Sequence, residues 1–136
     1  SVYPLTRSLA TLPGLRFMRD PTRGGLATVM HEIAHATGLG IQLRESAIPV
    51  RDPVASVCEM LGYDPMYLAC EGRVVAVVAA DEAARALALW QALPQGQNAA
   101  TIGHLHQDSR HVRLETGLGG QRVLEELEDD PLPRIC

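Results

Sequence analysis

"LRFMRDPTRGGLATVMHEIAHATG", residues Leu15 to Gly38, changes its hydrophobic rhythm halfway along, and that change decides the fold class. Leu15 to Asp20 alternates apolar and polar residues between Pro13-Gly14 and Pro21, which reads as a strand. Leu26, Val29, Met30, Ile33 and Ala34 then recur at helical spacing, and Gly38 supplies a stop, so Gly24 to Thr37 reads as a helix. "PTRGG" between them is a turn.

The same alternation continues outward. Ile41, Leu43 and Ile48 suggest a second extended segment. Asp52-Pro53 predicts an N-cap with proline at the first helical position, and that helix runs to Gly62. "RVVAVVAA" (Arg73 to Ala80) reads as the most buried strand, after which Asp81 caps an alanine-rich helix ending near Leu93. "ATIGHLHQ" and "HVRLET" read as strands, while "QRVLEELE" fits either a strand or a short helix. Without any solenoid repeat, this order predicts an α+β or α/β sandwich, with helices packed on a mixed sheet. Residues 1–128 form the expected domain. Residues 129–136, "DDPLPRIC", have the composition of an extended arm, which at full extension spans roughly 26 Å.

Composition narrows the function. At 136 residues the chain suffices for a real hydrophobic core, and with only 4% aromatics that core rests on Ala, Val, Leu and Ile. A net charge of −4 offers no basic stripe for nucleic acid. All twelve basic residues are arginine, which excludes a Walker lysine, a Schiff-base lysine or a lysine general base within this chain. Three cysteines (Cys58, Cys70, Cys136) without a CxxC pair point to a reducing cytoplasm, and no apolar run reaches the ~20 residues of a membrane span. The start lacks Met and a signal-peptide layout, so a cut into a longer chain is expected.

Four stretches can carry chemistry. "HEIAH" (His31 to His35) matches the zinc-protease pattern HExxH, with both imidazoles on one helix face. Against it stand the buried stripe already on that helix, the lack of a third histidine in continuation, and the short chain. Surface histidines on an amphipathic helix are the expectation, and no metal site is predicted. In "RDPTRGGLA", Gly24 and Gly25 open a helix where amides and dipole favour an anion. Arg23 can fork onto a phosphate, Thr22 can add a hydroxyl, and Asp20 can bind a metal through water or cap the turn. A tight turn that needs glycine for its angles explains the same residues without a ligand. Glu71, before the strand from Arg73, is either a proton acceptor or a solvated turn residue paired with Arg73. Cys136 is either a frayed end or an accessible nucleophile, with Arg134 on its side of an extended chain.

Together these stretches resemble the hydrogenase expression/formation family HypE. "RDPTRGGLA" (Arg19 to Ala27), Glu71-Gly72 before a strand and the terminal "PRIC" (Pro133 to Cys136) stand in the family's order, with "HEIA" and "SVCEMLG" (Ser56 to Gly62) in support. The resemblance covers nearly all of this chain and the second half of a family member. It implies a PurM-like, aminoimidazole ribonucleotide synthetase C-terminal fold, a mixed sheet with ferredoxin-like traits packed by helices. It also implies that Cys136 accepts a carbamoyl group from the carbamoyltransferase HypF. ATP then activates the thiocarbamate oxygen, and dehydration yields a thiocyanate. The cyanide passes to iron on the HypC–HypD complex for nickel–iron hydrogenase. Glu71 is the implied base, and Asp20, Thr22, Arg23, Gly24 and Gly25 lie beside the ATP phosphates. ATP and Mg are held mainly by the other half, which also carries the homodimer interface, so this domain alone is expected to be inactive in the ATP step.

Other readings remain. A relative such as selenophosphate synthetase or thiamine-phosphate kinase shares the glycine motif but not the terminal "PRIC". A zinc hydrolase would use His31, Glu32 and His35. A non-catalytic module would use the tail as a docking peptide.

Overall fold

The computed structural model describes residues 1–69 and 72–126, which fall into two compact units. The first unit comprises residues 1–20 and the segment up to 101 that follows Gly72. It holds helix α1 (Tyr3–Leu9), strand β1 (Leu15–Arg19), strand β3 (Val75–Val78) and helix α4 (Ala83–Gln91). β1 and β3 pair antiparallel, with an irregularity between Leu15 and Phe17. Leu9, Leu12 and Ala86 form its buried centre, and Leu15, Ala76, Val78 and Trp90 pack around them. The Trp90 indole N–H donates to the Leu5 carbonyl at 2.9 Å, which ties α4 to α1. Gly96 closes this corner, because a Cβ there would collide with the Trp90 carbonyl.

The second unit covers residues from 21 to 69 and from 102 to 126. It contains helix α2 (Gly25–Thr37), strand β2 (Gly40–Arg44), helix α3 (Asp52–Leu61), and strands β4 (Gly103–His106), β5 (Val112–Glu115) and β6 (Gln121–Val123). The sheet order is β4-β2-β5-β6, with β2 and β5 parallel and the outer pairings antiparallel. Its inward face follows the two-residue period of strands: Ile41 and Leu43 from β2, Val112 and Leu114 from β5. α2 lays Val29, Met30, Ile33 and Ala34 on that face, as their helical spacing predicts.

The predicted α+β class and mixed sheet are present, and the departures from the sequence reading are local. α1 had no sequence signal beyond a proline at its start. The helix predicted from Asp52-Pro53 begins as expected, but Arg51 occupies the cap position, so Asp52 sits inside the first turn. The predicted Asp81 cap is instead part of a 3-10 turn, Ala80–Glu82, that leads into α4. β3 is half-buried along its whole length rather than the most buried strand. Its valine run suits either burial state, and a two-stranded sheet gives it one neighbour. The ambiguous "QRVLEELE" begins as a strand, because β5 offers its free edge to Gln121–Val123. The arm from 129 lies outside the described residues.

Candidate functional site

Two glycines in the left-handed region connect Arg23 to α2: Gly24 at φ 65° and Gly25 at φ 66°. Both are buried, while Thr22 and Arg23 on the same turn are exposed. The backbone angle alone favours glycine. Space demands it too, since a Cβ on Gly25 would stand 2.5 Å from the Leu68 carbonyl oxygen and 2.7 Å from that of Met66. The turn at residues 65–68 therefore packs directly on the start of α2. The Gly24 carbonyl accepts the Thr28 hydroxyl at 3.1 Å, and no side chain caps the helix. First-turn N–H groups without a side-chain cap, next to an exposed arginine and threonine, give the local geometry of an anion site. Asp20, exposed, closes the first unit just after β1.

Glu71 and Cys136 lie outside the described residues. Gly72, beside Glu71, takes φ 74° with open space around its Cα, so a backbone reversal accounts for that glycine.

A second constellation was not foreseen. Leu124, fully buried, donates its N–H to the Val112 carbonyl at 2.8 Å, extending the β5 pairing past β6. Its own carbonyl accepts from His31 Nε2 at 2.8 Å. Because a carbonyl only accepts, that ring nitrogen carries the proton. The Tyr67 hydroxyl donates to the Glu125 carbonyl at 2.7 Å, and His35 Nε2 meets the Glu126 carboxylate at 3.1 Å. Arg122 pairs with Asp64 at 2.7 Å, and Asp64 also caps the turn by accepting from the Met66 N–H. Burial, the nearby Asp64 carboxylate and that of Glu125 raise the Tyr67 pKa above its ordinary value, against the opposing effect of Arg122 and of the bond to Glu125. Residues 122–126 are thus stitched to α2 and to the turn at 64–67. Sequence reasoning found His31 and His35 but not Glu126, 91 positions beyond His35, whose approach depends on β6 pairing with β5.

Among the described residues no helix is long and apolar enough to cross a membrane. Residues 5–114 match the family described as AIR synthase related protein, C-terminal domain. The chain is 49% identical over 129 residues to the carbamoyl dehydratase HypE of Azotobacter vinelandii, covering 94% of this chain and 38% of that protein. The crystal structure of Escherichia coli HypE superimposes with a TM-score of 0.92 at 42% identity, over 99% of this chain and 42% of that one. A HypE in complex with ATP (TM-score 0.85, 38% identity, 93% of this chain and 40% of that chain) and a HypE–HypF complex (0.88, 38%, 93% and 41%) are also similar. The chain spans about two-fifths of the length of these relatives. With the family match covering most of its residues and the expected fold in place, the chain belongs to the AIR synthase related proteins, as a C-terminal domain of that family.

Proposed function

We propose that this chain is the C-terminal domain of a HypE-type carbamoyl dehydratase, in which Cys136 carries the group that becomes a cyanide ligand of nickel–iron hydrogenase. The 49% identity to a carbamoyl dehydratase HypE, over 94% of the chain, carries this reading. The HypE bound to ATP and the HypE bound to HypF support ATP as co-substrate and HypF as carbamoyl donor.

The HypE resemblance implies the following chemistry for these residues. The Cys136 thiolate attacks the carbon of a carbamoyl group held by its donor. The bond from that carbon to the donor's oxygen breaks, and that oxygen leaves with the electron pair as a thiocarbamate forms. Transfer of the ATP γ-phosphoryl group to the thiocarbamate oxygen converts a poor leaving group into phosphate. As the oxygen takes the phosphoryl group the nitrogen gives up one proton. Glu71 then takes the second, phosphate departs, and the thiocarbamate carbon becomes the nitrile carbon of a thiocyanate. The oxygen leaves in phosphate, so the net change is loss of water against ATP hydrolysis. The uncapped start of α2 with Thr22, Arg23, Gly24 and Gly25 holds phosphate oxygens. Asp20 is the one carboxylate in Arg19 to Ala27. Mg would be held mainly by the other half, with Asp20 able to reach it through water, and would neutralise phosphate charge. HypC–HypD as cyanide acceptor, a homodimer of the longer protein and a reducing cytoplasm that keeps Cys136 free complete the reading. This domain alone is inactive in the ATP step.

The test uses the longer protein with its ATP-binding half. Wild type should convert carbamoylated Cys136 to the thiocyanate on adding ATP, seen as loss of one water from the adduct. Glu71→Gln should stop at the carbamoyl adduct. Wild-type conversion rates in that variant would remove Glu71 as the base.

A further inference from the structure

In the sequence HEIAH reads as helix surface: its helix already carries a buried stripe, no third histidine follows in continuation, and the chain is short. The fold supplies a third ligand. One ring nitrogen from each of His31 and His35 and one carboxylate oxygen of Glu126 lie within 4.8 Å of one another. The two rings have centroids 6.3 Å apart and planes tilted by 36°. Tetrahedral zinc with bonds of about 2.0–2.2 Å holds its ligand atoms roughly 3.4 Å apart, so small rotamer changes close the set. The His35 and Glu126 side chains are 67% and 61% exposed and have room for that change.

His31 gives an independent reason. Its Nε2 is engaged by the Leu124 carbonyl at 2.8 Å, which fixes the ring and makes Nδ1 the nitrogen available to a cation. A hydrogen bond from the far ring nitrogen to a backbone carbonyl is the support that metal-bound imidazoles require. We infer that His31, His35 and Glu126 form a binding site for a zinc-class divalent cation, with water completing the shell. Two imidazoles and one carboxylate favour zinc, cobalt or nickel over magnesium or calcium.

The site joins α2, whose other end carries the glycine turn, to the residue from which the chain continues into 127–136. The site does not rest on the carrier role proposed for Cys136.

The probe is zinc alone, titrated into the reduced chain against a chromophoric chelator, with cobalt absorption as a reporter of ligand type. Cys136→Ser serves as the background, so that the terminal thiol cannot contribute. A single zinc per chain is expected, with cobalt bands lacking the intense thiolate charge-transfer absorption. His35→Ala and Glu126→Gln should each weaken binding at least about tenfold, and Glu59→Gln on α3 should not. Circular dichroism confirms that these exposed substitutions keep the fold. Absence of zinc binding, or unchanged affinity in both ligand variants, overturns the site. Carbamoylation of Cys136 in the wild-type chain freed of zinc is measured separately, so failure of the carrier reading is a distinct result.

Discussion

His31 Nε2 donates to the Leu124 carbonyl at 2.8 Å, joining two residues 93 positions apart in the chain. That bond lies where the described strands end and the sequence runs on toward Cys136. It makes the histidine a structural part of the second unit whether or not a cation binds beside it. Replacing His31 with Ala leaves the carbonyl of a buried residue without its donor. A loss of about 1–3 kcal/mol in denaturant unfolding is expected, with faster amide exchange at residues 122–126. Unchanged stability would show that water replaces the imidazole.

Gly25 and Gly38 bracket the same helix with similar backbone angles, φ 66° and φ 70°, but differ in surroundings. Nothing stands within 4 Å of a Cβ on Gly38, whereas a Cβ on Gly25 meets the Leu68 backbone at 2.5 Å. Gly38→Ala should cost only the left-handed strain, about 1–2 kcal/mol. Gly25→Ala should exceed it by roughly another 1–3 kcal/mol, because backbone cannot yield as a side chain does. Equal losses in thermal unfolding would mean that the 65–68 turn gives way freely.

Tyr67 gives the pH prediction. Its folded-state pKa lies above the ordinary 10.0, mainly through burial and secondly through Asp64. A raised pKa means that the folded state holds the proton more tightly. Its contribution is full below about pH 10 and is lost as pH rises from there through the folded value. Tyr67→Phe should make the decline in stability above about pH 10 shallower. An identical decline in the variant would contradict the assignment.

Leu124 and Leu118 separate core from surface near the same strand. Leu124 has no exposed surface, and Leu118 is fully exposed. Leu124→Ala should cost about 2–5 kcal/mol, while Leu118→Ala stays within about 0.5 kcal/mol. Chemical denaturation of the pair checks both.

Particular residues show what the sequence made legible. The switch from alternation to helical spacing at Pro21 located β1 and α2 almost to the residue, because one rhythm belongs to a pleated strand and the other to a helix. The positive φ of Gly24 and Gly25 fits the tight-turn reading of that stretch, which needs glycine for its angles whether or not a phosphate binds there. β3 was placed but its burial was not, since a run of valines records apolarity and not how many neighbours the sheet supplies. α1 is one short helix whose sequence carries too few turns to establish a period. Glu126 was invisible as a partner of His35 because only the β5–β6 pairing brings it back. Position 126 has no local signature for that. Cys136 and Glu71 stand out in the sequence as a terminal thiol and a carboxylate before a strand. Their specific roles come from the family resemblance, and both lie outside the described residues.

The carrier cysteine is the central claim, and intact mass with peptide mapping tests it most directly. The chain is incubated with HypF, carbamoyl phosphate and ATP, alongside Cys136→Ser and a longer protein with its ATP-binding half. The account predicts a single carbamoyl group on Cys136, absent in the variant, which persists on this chain and loses water on the longer one. No adduct on Cys136 in either protein would contradict it.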